Sequence, residues 1–590
     1  MVALLLSTHM GLLACSVRQH SPTDMEMAHL AAGISHWRFG DCRLLCVNPP
    51  LVRALAALPV LLMEPKTDWG RVSPFPERRP EFDVAQDFVL ANGQRSVELL
   101  AAARWACLPL SIIGASVVFF WARELYGRAA GVLALGLWCF SPTMMAHAQL
   151  ITPDAGAAAL GVAAAYVFRR WLKQPGWGRA CWAGVVLGLA QLTKTTWIVL
   201  FGLWPLLWIA WNCTGPKSKR AGPTGDQKAE GENREVERGC VRQAGQMAII
   251  LFLGLYVLNL GYVFEGSFQE LGDYRFVSEM LAGPNDESQR PDPSPGRNRF
   301  QGTLLARLPV PLPKHYLLGI DLQEWDFERR LWSFLRGEWR KGGWWYYYLY
   351  ALAIKVPLGT WILVLLALLV GLFGQGYSAS RRDELLLLAP LAVVLILVSS
   401  QTGFAHHMRY VLPSFPFAFI WVSKVARAVD LEHAKIALLA AAATAWSVGS
   451  SLYIYPHSLS YFNELVGGPT GGHAHLLGSN IDWGQDLLYL KRWLKKHPDV
   501  RLDGLVSHNR YRPACLGLDC PMPPKDPRPG WYAVSVNNLR SRSRAYEYFL
   551  NFTPVAMAGY SIYVYHITSG EANRARRELG LPELAAREGR

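Results

Sequence analysis

Three carboxylates and three cations are the residues of this chain best placed to do chemistry. Asp24 and Glu26 follow the first apolar run, and Asp154 stands directly after Pro153 at the head of another. Lys194 interrupts the run Leu192-Thr-Lys194-Thr-Thr, and Lys355 lies in the run after Trp344-Trp345-Tyr346-Tyr347-Tyr348. Arg409 opens a further run within His406-His407-Met-Arg409-Tyr410. A carboxylate at a run boundary can take a proton from a reacting hydroxyl. A lysine set among apolar residues must snorkel, pair or bind an anion. An arginine fork can grip a phosphate. Each residue also has a plainer role open to it. Asp154 can complement a helix dipole, Asp24 and Glu26 can sit in a solvated loop, and Arg409 can anchor an interface. The functional reading depends on whether the six share one face.

The elements that would place them are membrane spans. The chain has 590 residues, 51% hydrophobic and 18% charged, against about 25% charged for soluble domains. Apolar runs such as Trp105–Trp121, Ala180–Trp211, Met247–Phe264, Tyr346–Phe373, Leu385–Ser399 and Ile436–Tyr455 approach or exceed the roughly 18–20 residues needed to cross a bilayer. The first run, Val2–Val17, is short and reads as a span or a signal sequence. Its Leu12-Leu-Ala-Cys15 is like a lipoprotein box, but no Lys or Arg precedes it. Basic residues collect in the connections 121–128, 169–179, 217–242, 381–382 and 424–435. These all fall on one side when about eleven spans are drawn, and the positive-inside rule makes that side cytoplasmic. The loops 18–98 and 265–345, the turns at Thr152-Pro-Asp154 and Lys194, and the segment 400–408 are then external. So is the tail from Pro456.

The expected organisation is an α-helical polytopic membrane domain over residues 1–456 and a small extracytoplasmic α/β domain over 457–590. In the tail, a helix is expected over Asp486–Lys496 and strands over Leu502–Ser507, Trp531–Val536 and Ser561–His566. The ending Glu571–Glu588 is charged and reads as helical or frayed. In the first loop, Met25–Trp37 and Pro50–Met63 carry helical spacing and read as interfacial helices. The loop 217–242 is polar and lacks apolar periodicity.

The net charge of +14 is explained by topology and calls for no nucleic acid, since no zinc-finger spacing, basic helix or RNA-binding motif is present. The absence of Walker A, GxSxG and HExxH motifs argues against a nucleotide-driven pump, a serine hydrolase and a zincin. His29, His36, His147, His473 and His475 are not at ligand spacing. Of ten cysteines, only the close pairs Cys42/Cys46 and Cys515/Cys520 fall outside the cytoplasm in positions that allow disulfides. Cations beside carboxylates on one membrane face suit a lipid-phosphate ligand.

The whole arrangement resembles the GT-C membrane glycosyltransferases, in particular relatives of the dolichyl-phosphate-mannose protein mannosyltransferases and of the lipid A aminoarabinose transferase. Thr23-Asp24-Met25-Glu26-Met-Ala-His29 looks like the family's first-loop acidic motif, and Asn48-Pro-Pro-Leu51 like its juxtamembrane helix. Ser141-Pro142 through Thr152-Pro-Asp154 looks like the second acidic site. Leu187–Lys194, Gly343–Pro357, Arg409-Tyr-Val-Leu-Pro413, Tyr461-Phe-Asn463 and Ser479–Gln485 match in order. The usual adjacent Asp-Glu pair reads Asp24-Met25-Glu26 here, which puts Met25 at the family's Asp position.

The resemblance implies inverting transfer of a sugar from a polyprenyl-phosphate donor to a protein, lipid or glycan hydroxyl at the outer face of the plasma membrane. It makes Asp24 or Glu26 the base, with Asp154 as partner or metal ligand. Lys194, Arg409 and Lys355 attend the donor phosphate, and His29, Tyr410 and Tyr347 line the substrate. Some relatives use a divalent metal and others do not, so the cofactor stays open. The competing readings are an impaired scaffold of the same fold and a lipid-linked transporter. No inverted repeat supports the latter.

Overall fold

Apolar length sets most of the architecture. The computed structural model describes residues 1–73, 79–214, 226–284 and 297–585. The helices of the first third are α1 (Val2–Val17), α2 (Glu26–Phe39), α3 (Leu51–Leu61), α4 (Pro80–Asn92), α5 (Arg95–Tyr126), α6 (Arg128–Phe140), α7 (Pro142–Ala148), α8 (Pro153–Lys173) and α9 (Trp177–Gln191). Helix α5 is the central post, packed by α3, α6 and α8. Close approach is bought with small residues at the crossings. At Gly161 of α8 a Cβ would stand 1.9 Å from the Trp197 ring, so only glycine fits there.

Among the described residues, five helices are long and apolar enough to cross a bilayer: Arg95–Tyr126, Thr195–Cys213, Gly239–Gly261, Arg381–Ser400 and Ala434–Ile454. Only 22% of the apolar window of Thr195–Cys213 and of Ala434–Ile454 is buried within the protein. Their outer faces present Leu206 and Leu438, as a hydrocarbon surround requires. Two bent pairs raise the number to seven: α6 with α7, bent by 60°, and Tyr347–Lys355 with Leu358–Phe373, bent by 112°. The run Tyr346–Phe373 is therefore not one straight helix. It breaks at Val356-Pro357, where proline displaces the preceding residue from helical backbone. Charge alternation drew about eleven spans. The difference lies in bent pairs and in short helices such as α1 and α9, whose 16 and 15 residues reach about 24 Å.

The basic connections gather at one end. Arg169 donates from Nε to Asp383 Oδ1 (2.6 Å) and from Nη1 to Glu124 Oε2 (2.7 Å). Lys424 reaches Glu384 at 3.0 Å, and Tyr126 donates to the same carboxylate. The loop expected over 217–242 lies outside the described residues as far as residue 225, and the chain is helical from Asp226 to Gly261.

At the opposite end lie an antiparallel hairpin, β1 (Trp332–Leu335) with β2 (Glu338–Lys341), and a separate four-stranded sheet. That sheet has β3 (Gly504–Val506), β4 (Gly530–Ser535), β5 (Ala556–Ala558) and β6 (Ile562–Ile567) in the order β3-β4-β6-β5, with the β3–β4 pair parallel and the others antiparallel. The closing helix is Ser569–Glu578, begun by a Thr568/Glu571 capping box; the expected ending beyond residue 585 lies outside the described residues. All ten cysteines are free thiols. The Cys42 sulfur lies 3.0 Å from His36 Nδ1.

Candidate active site

Asp154 sits in the first turn of α8, where Thr152 and Pro153 start the helix. Its Oδ1 accepts from Lys194 Nζ at 2.8 Å, and its Oδ2 lies 3.8 Å from Arg409 Nε. Lys194 occupies the break between α9 and the helix beginning at Val199, and Arg409 stands at the turn preceding the helix Phe415–Val422. Two helix breaks and one helix start therefore deliver one carboxylate and two cations to the same point. The Lys194 ammonium lies 5.3 Å from the centre of the Tyr410 ring, and the Arg409 guanidinium stacks 3.9 Å from that of Trp483. Arg409 Nε and His147 Nδ1 are buried without a hydrogen-bond partner among the described residues.

His29 lies against this cluster, within electrostatic reach of Arg53, Asp154 and Arg409. Burial, reinforced by the Arg53 charge and opposed by Asp154, lowers its pKa to about 3. The unfolded imidazole titrates near 6.5. The stability from keeping His29 neutral is thus complete above pH 6.5 and is lost as pH falls toward 3. At pH 5 the loss is about 2 kcal/mol. His29→Gln should flatten the acid limb of a thermal-unfolding pH series by that amount, and an identical limb refutes neutral burial.

The two first-loop carboxylates part company. Glu26 is fully buried and accepts from Arg104 with both oxygens, Nε to Oε1 at 2.8 Å. It also takes the Thr23 N–H at 3.0 Å and the Ile151 N–H at 3.3 Å. Arg104 spends its remaining donors on the carbonyls of Val17, His20 and Ser21. This pair ties the loop to α5. Asp24 faces the other way, into a cavity of about 230 Å³ shared with Phe82, Gln86, Arg510 and Arg512. Its Oδ1 accepts the Arg510 N–H at 3.0 Å, and its Oδ2 carries no hydrogen bond among the described residues. Its own N–H donates to the Trp483 carbonyl at 3.0 Å. Between them Met25 packs in the apolar cluster of Ala146, Leu150, Leu459 and Trp483.

Lys355 and Tyr347 serve the loop that carries Trp483. Lys355 Nζ donates to the carbonyls of Leu459 (2.8 Å) and Asn480 and faces the Phe462 ring. Asn480 Nδ2 donates to the Tyr347 hydroxyl at 3.1 Å. Both side chains thereby spend hydrogen bonds on the segment that carries Trp483. Tyr347 also lines a second cavity, of about 270 Å³, with His406, His407, His508 and Arg542. Sequence reasoning did not single out Trp483 or Arg104. A lone arginine just before the run at Trp105 was the available signal for the second. With a cation on each side, Asp154 presents a poor donor set for a divalent metal.

Residues 97–219, which contain Arg104, Asp154 and Lys194, match the family model described as dolichyl-phosphate-mannose-protein mannosyltransferase. That match and the residues read above agree on a GT-C glycosyltransferase fold. The chain is similar to the crystal structure of ArnT from Cupriavidus metallidurans bound to undecaprenyl phosphate, at 13% identity over 95% of this chain and 97% of that one, TM-score 0.43. For the apo state of that protein the identity is 14%, the coverage is the same and the TM-score is 0.41. An Archaeoglobus fulgidus oligosaccharyltransferase, in complex with zinc and sulfate, aligns at 11% identity over 90% of this chain and 68% of its own, TM-score 0.35. No curated protein matches the chain.

Proposed function

We propose that this protein transfers a sugar, with inversion, from a polyprenyl-phosphate donor to a hydroxyl of a protein, lipid or glycan acceptor at the outer face of the plasma membrane. The observation that carries the reading is the Lys194–Asp154–Arg409 cluster, in which two cations share one carboxylate and keep a net positive charge. A lipid phosphate is the anion that satisfies such a cluster near the end of membrane helices. The acceptor oxygen attacks the anomeric carbon, and the bond from that carbon to the phosphate oxygen breaks. The polyprenyl phosphate leaves with the electron pair, its charge met by Lys194 and Arg409. Asp24 takes the hydroxyl proton, as the first-loop carboxylate with an oxygen open to a cavity. Asp154 positions the two cations.

The second reading is an impaired scaffold of the same fold, and Met25, packed where the family carries an Asp, is the observation that favours it. One experiment separates them. Purified protein given a panel of labelled polyprenyl-phosphate sugars and a crude acceptor extract should move label into acceptor. Silence across the panel, from protein that stays folded, leaves the scaffold.

A further inference from the structure

Three residues distant in sequence meet away from the Asp154 cluster. His20 follows α1, His457 follows the Tyr455-Pro456 step after the apolar helix Ala434–Ile454, and Asp486 immediately precedes the helix Leu487–Lys496. His457 Nδ1 lies 3.3 Å and His20 Nδ1 3.6 Å from Asp486 Oδ1, and the three atoms all lie within 4.8 Å of one another. Asp486 is completely buried and His20 is 4% exposed. None of the three atoms has a hydrogen-bond partner among the described residues.

The far side of the cluster is held in place. His20 Nε2 lies 3.0 Å from the Pro456 carbonyl, which can only accept, so Nε2 bears the proton. Neutral His20 therefore turns its Nδ1 lone pair toward a carboxylate oxygen. Asp486 Oδ2 accepts from Ser561 Oγ at 2.7 Å and Gln485 Nε2 at 3.2 Å, which leaves Oδ1 directed at the imidazoles. Gly559 walls the carboxylate from behind at a φ of +62°, and a Cβ there would stand 2.2 Å from Oδ2. Among the described residues, these two imidazoles are the only groups at ion-pair distance from Asp486. His20 thus turns a lone pair toward a buried carboxylate oxygen that also has His457 Nδ1 at 3.3 Å, an arrangement that a bound cation would satisfy.

We propose that His20, His457 and Asp486 form a binding site for a divalent first-row metal ion, zinc(II) fitting best. Ligands about 2.0–2.2 Å from a tetrahedral ion stand about 3.3–3.6 Å apart, and the two edges here are 3.3 and 3.6 Å. The outer partners of His20 and Asp486 are those that orient first-coordination ligands elsewhere. Three protein ligands leave a fourth position for water. The ion would join the first loop, the end of the last long apolar helix and the start of the C-terminal segment, a role independent of sugar transfer.

Full-length protein in detergent, dialysed against metal-free buffer and reloaded with zinc, should hold about one zinc per chain. Cobalt(II) should give the intense visible bands of a tetrahedral site. Both signals should vanish in His457→Gln and in His20→Gln, with monodispersity confirming the fold. If His20→Gln does not fold, the more exposed His457 carries the test. Zinc held equally by the variants is adventitious and overturns the site. So does wild-type protein that takes up no zinc and stays colourless with cobalt, the result a protonated imidazole would give.

Discussion

Lys194→Met and Arg409→Met should each lower kcat/KM for the polyprenyl-phosphate donor by roughly 10²–10³-fold, the usual effect of removing a preorganised group that meets developing charge. The two should not be additive, because they share the Asp154 carboxylate. Lys194 makes the shorter contact, at 2.8 Å against 3.8 Å. Losing it leaves Asp154 buried with a weaker partner, so Lys194→Met should also lower thermal stability. Asp154→Asn in the Lys194→Met background should recover that stability without recovering transfer. Arg409 rests on the Trp483 ring, and a lysine lacks the planar face for that stack. Arg409→Lys should therefore lose most of what Arg409→Met loses. Donor turnover at the original rate in either methionine variant would remove the phosphate from this cluster.

Much of this arrangement was legible from residue order. The helices expected over Met25–Trp37 and Pro50–Met63 are Glu26–Phe39 and Leu51–Leu61, because apolar spacing and the Pro49-Pro50 start are local signals. Three strands of the last segment stand within two residues of where alternation placed them. The missed strand, Ala556–Ala558, has no β-branched residue to announce it. Placing Asp154, Lys194 and Arg409 on one face needed only the alternation of loop charge. Their pairing did not follow from it, since helix breaks 40 and more residues apart carry no mutual spacing. The same limit hid His20, His457 and Asp486, where Asp486 reads simply as a helix start. Lys355 shows contacts that its position in the chain does not announce. Its type suggests an anion, and in the structure its ammonium meets two carbonyls and an aromatic face.

The two first-loop carboxylates, Asp24 and Glu26, are expected to fail in different ways when replaced. Glu26 and Arg104 are 0% and 1% exposed, and they satisfy each other together with five backbone groups. Glu26→Ala leaves a buried guanidinium unpaired, at a cost of about 3–5 kcal/mol. The expected result is a protein that aggregates or melts early, with activity lost in proportion to folded material. A Glu26→Leu/Arg104→Met pair, which removes both charges and fills the volume, should regain much of that stability. Asp24 is 22% exposed with one oxygen uncommitted. Asp24→Asn should therefore melt within about 1 kcal/mol of the parent while transfer falls by roughly 10²–10⁴-fold, the span of general-base contributions. Thermal unfolding and single-turnover transfer on the same preparations separate the two outcomes. A stable Glu26→Ala without activity, beside a fully active Asp24→Asn, would exchange their roles. It would also mean that the Arg104 contacts open during turnover, because Glu26 can reach an acceptor hydroxyl only by releasing them.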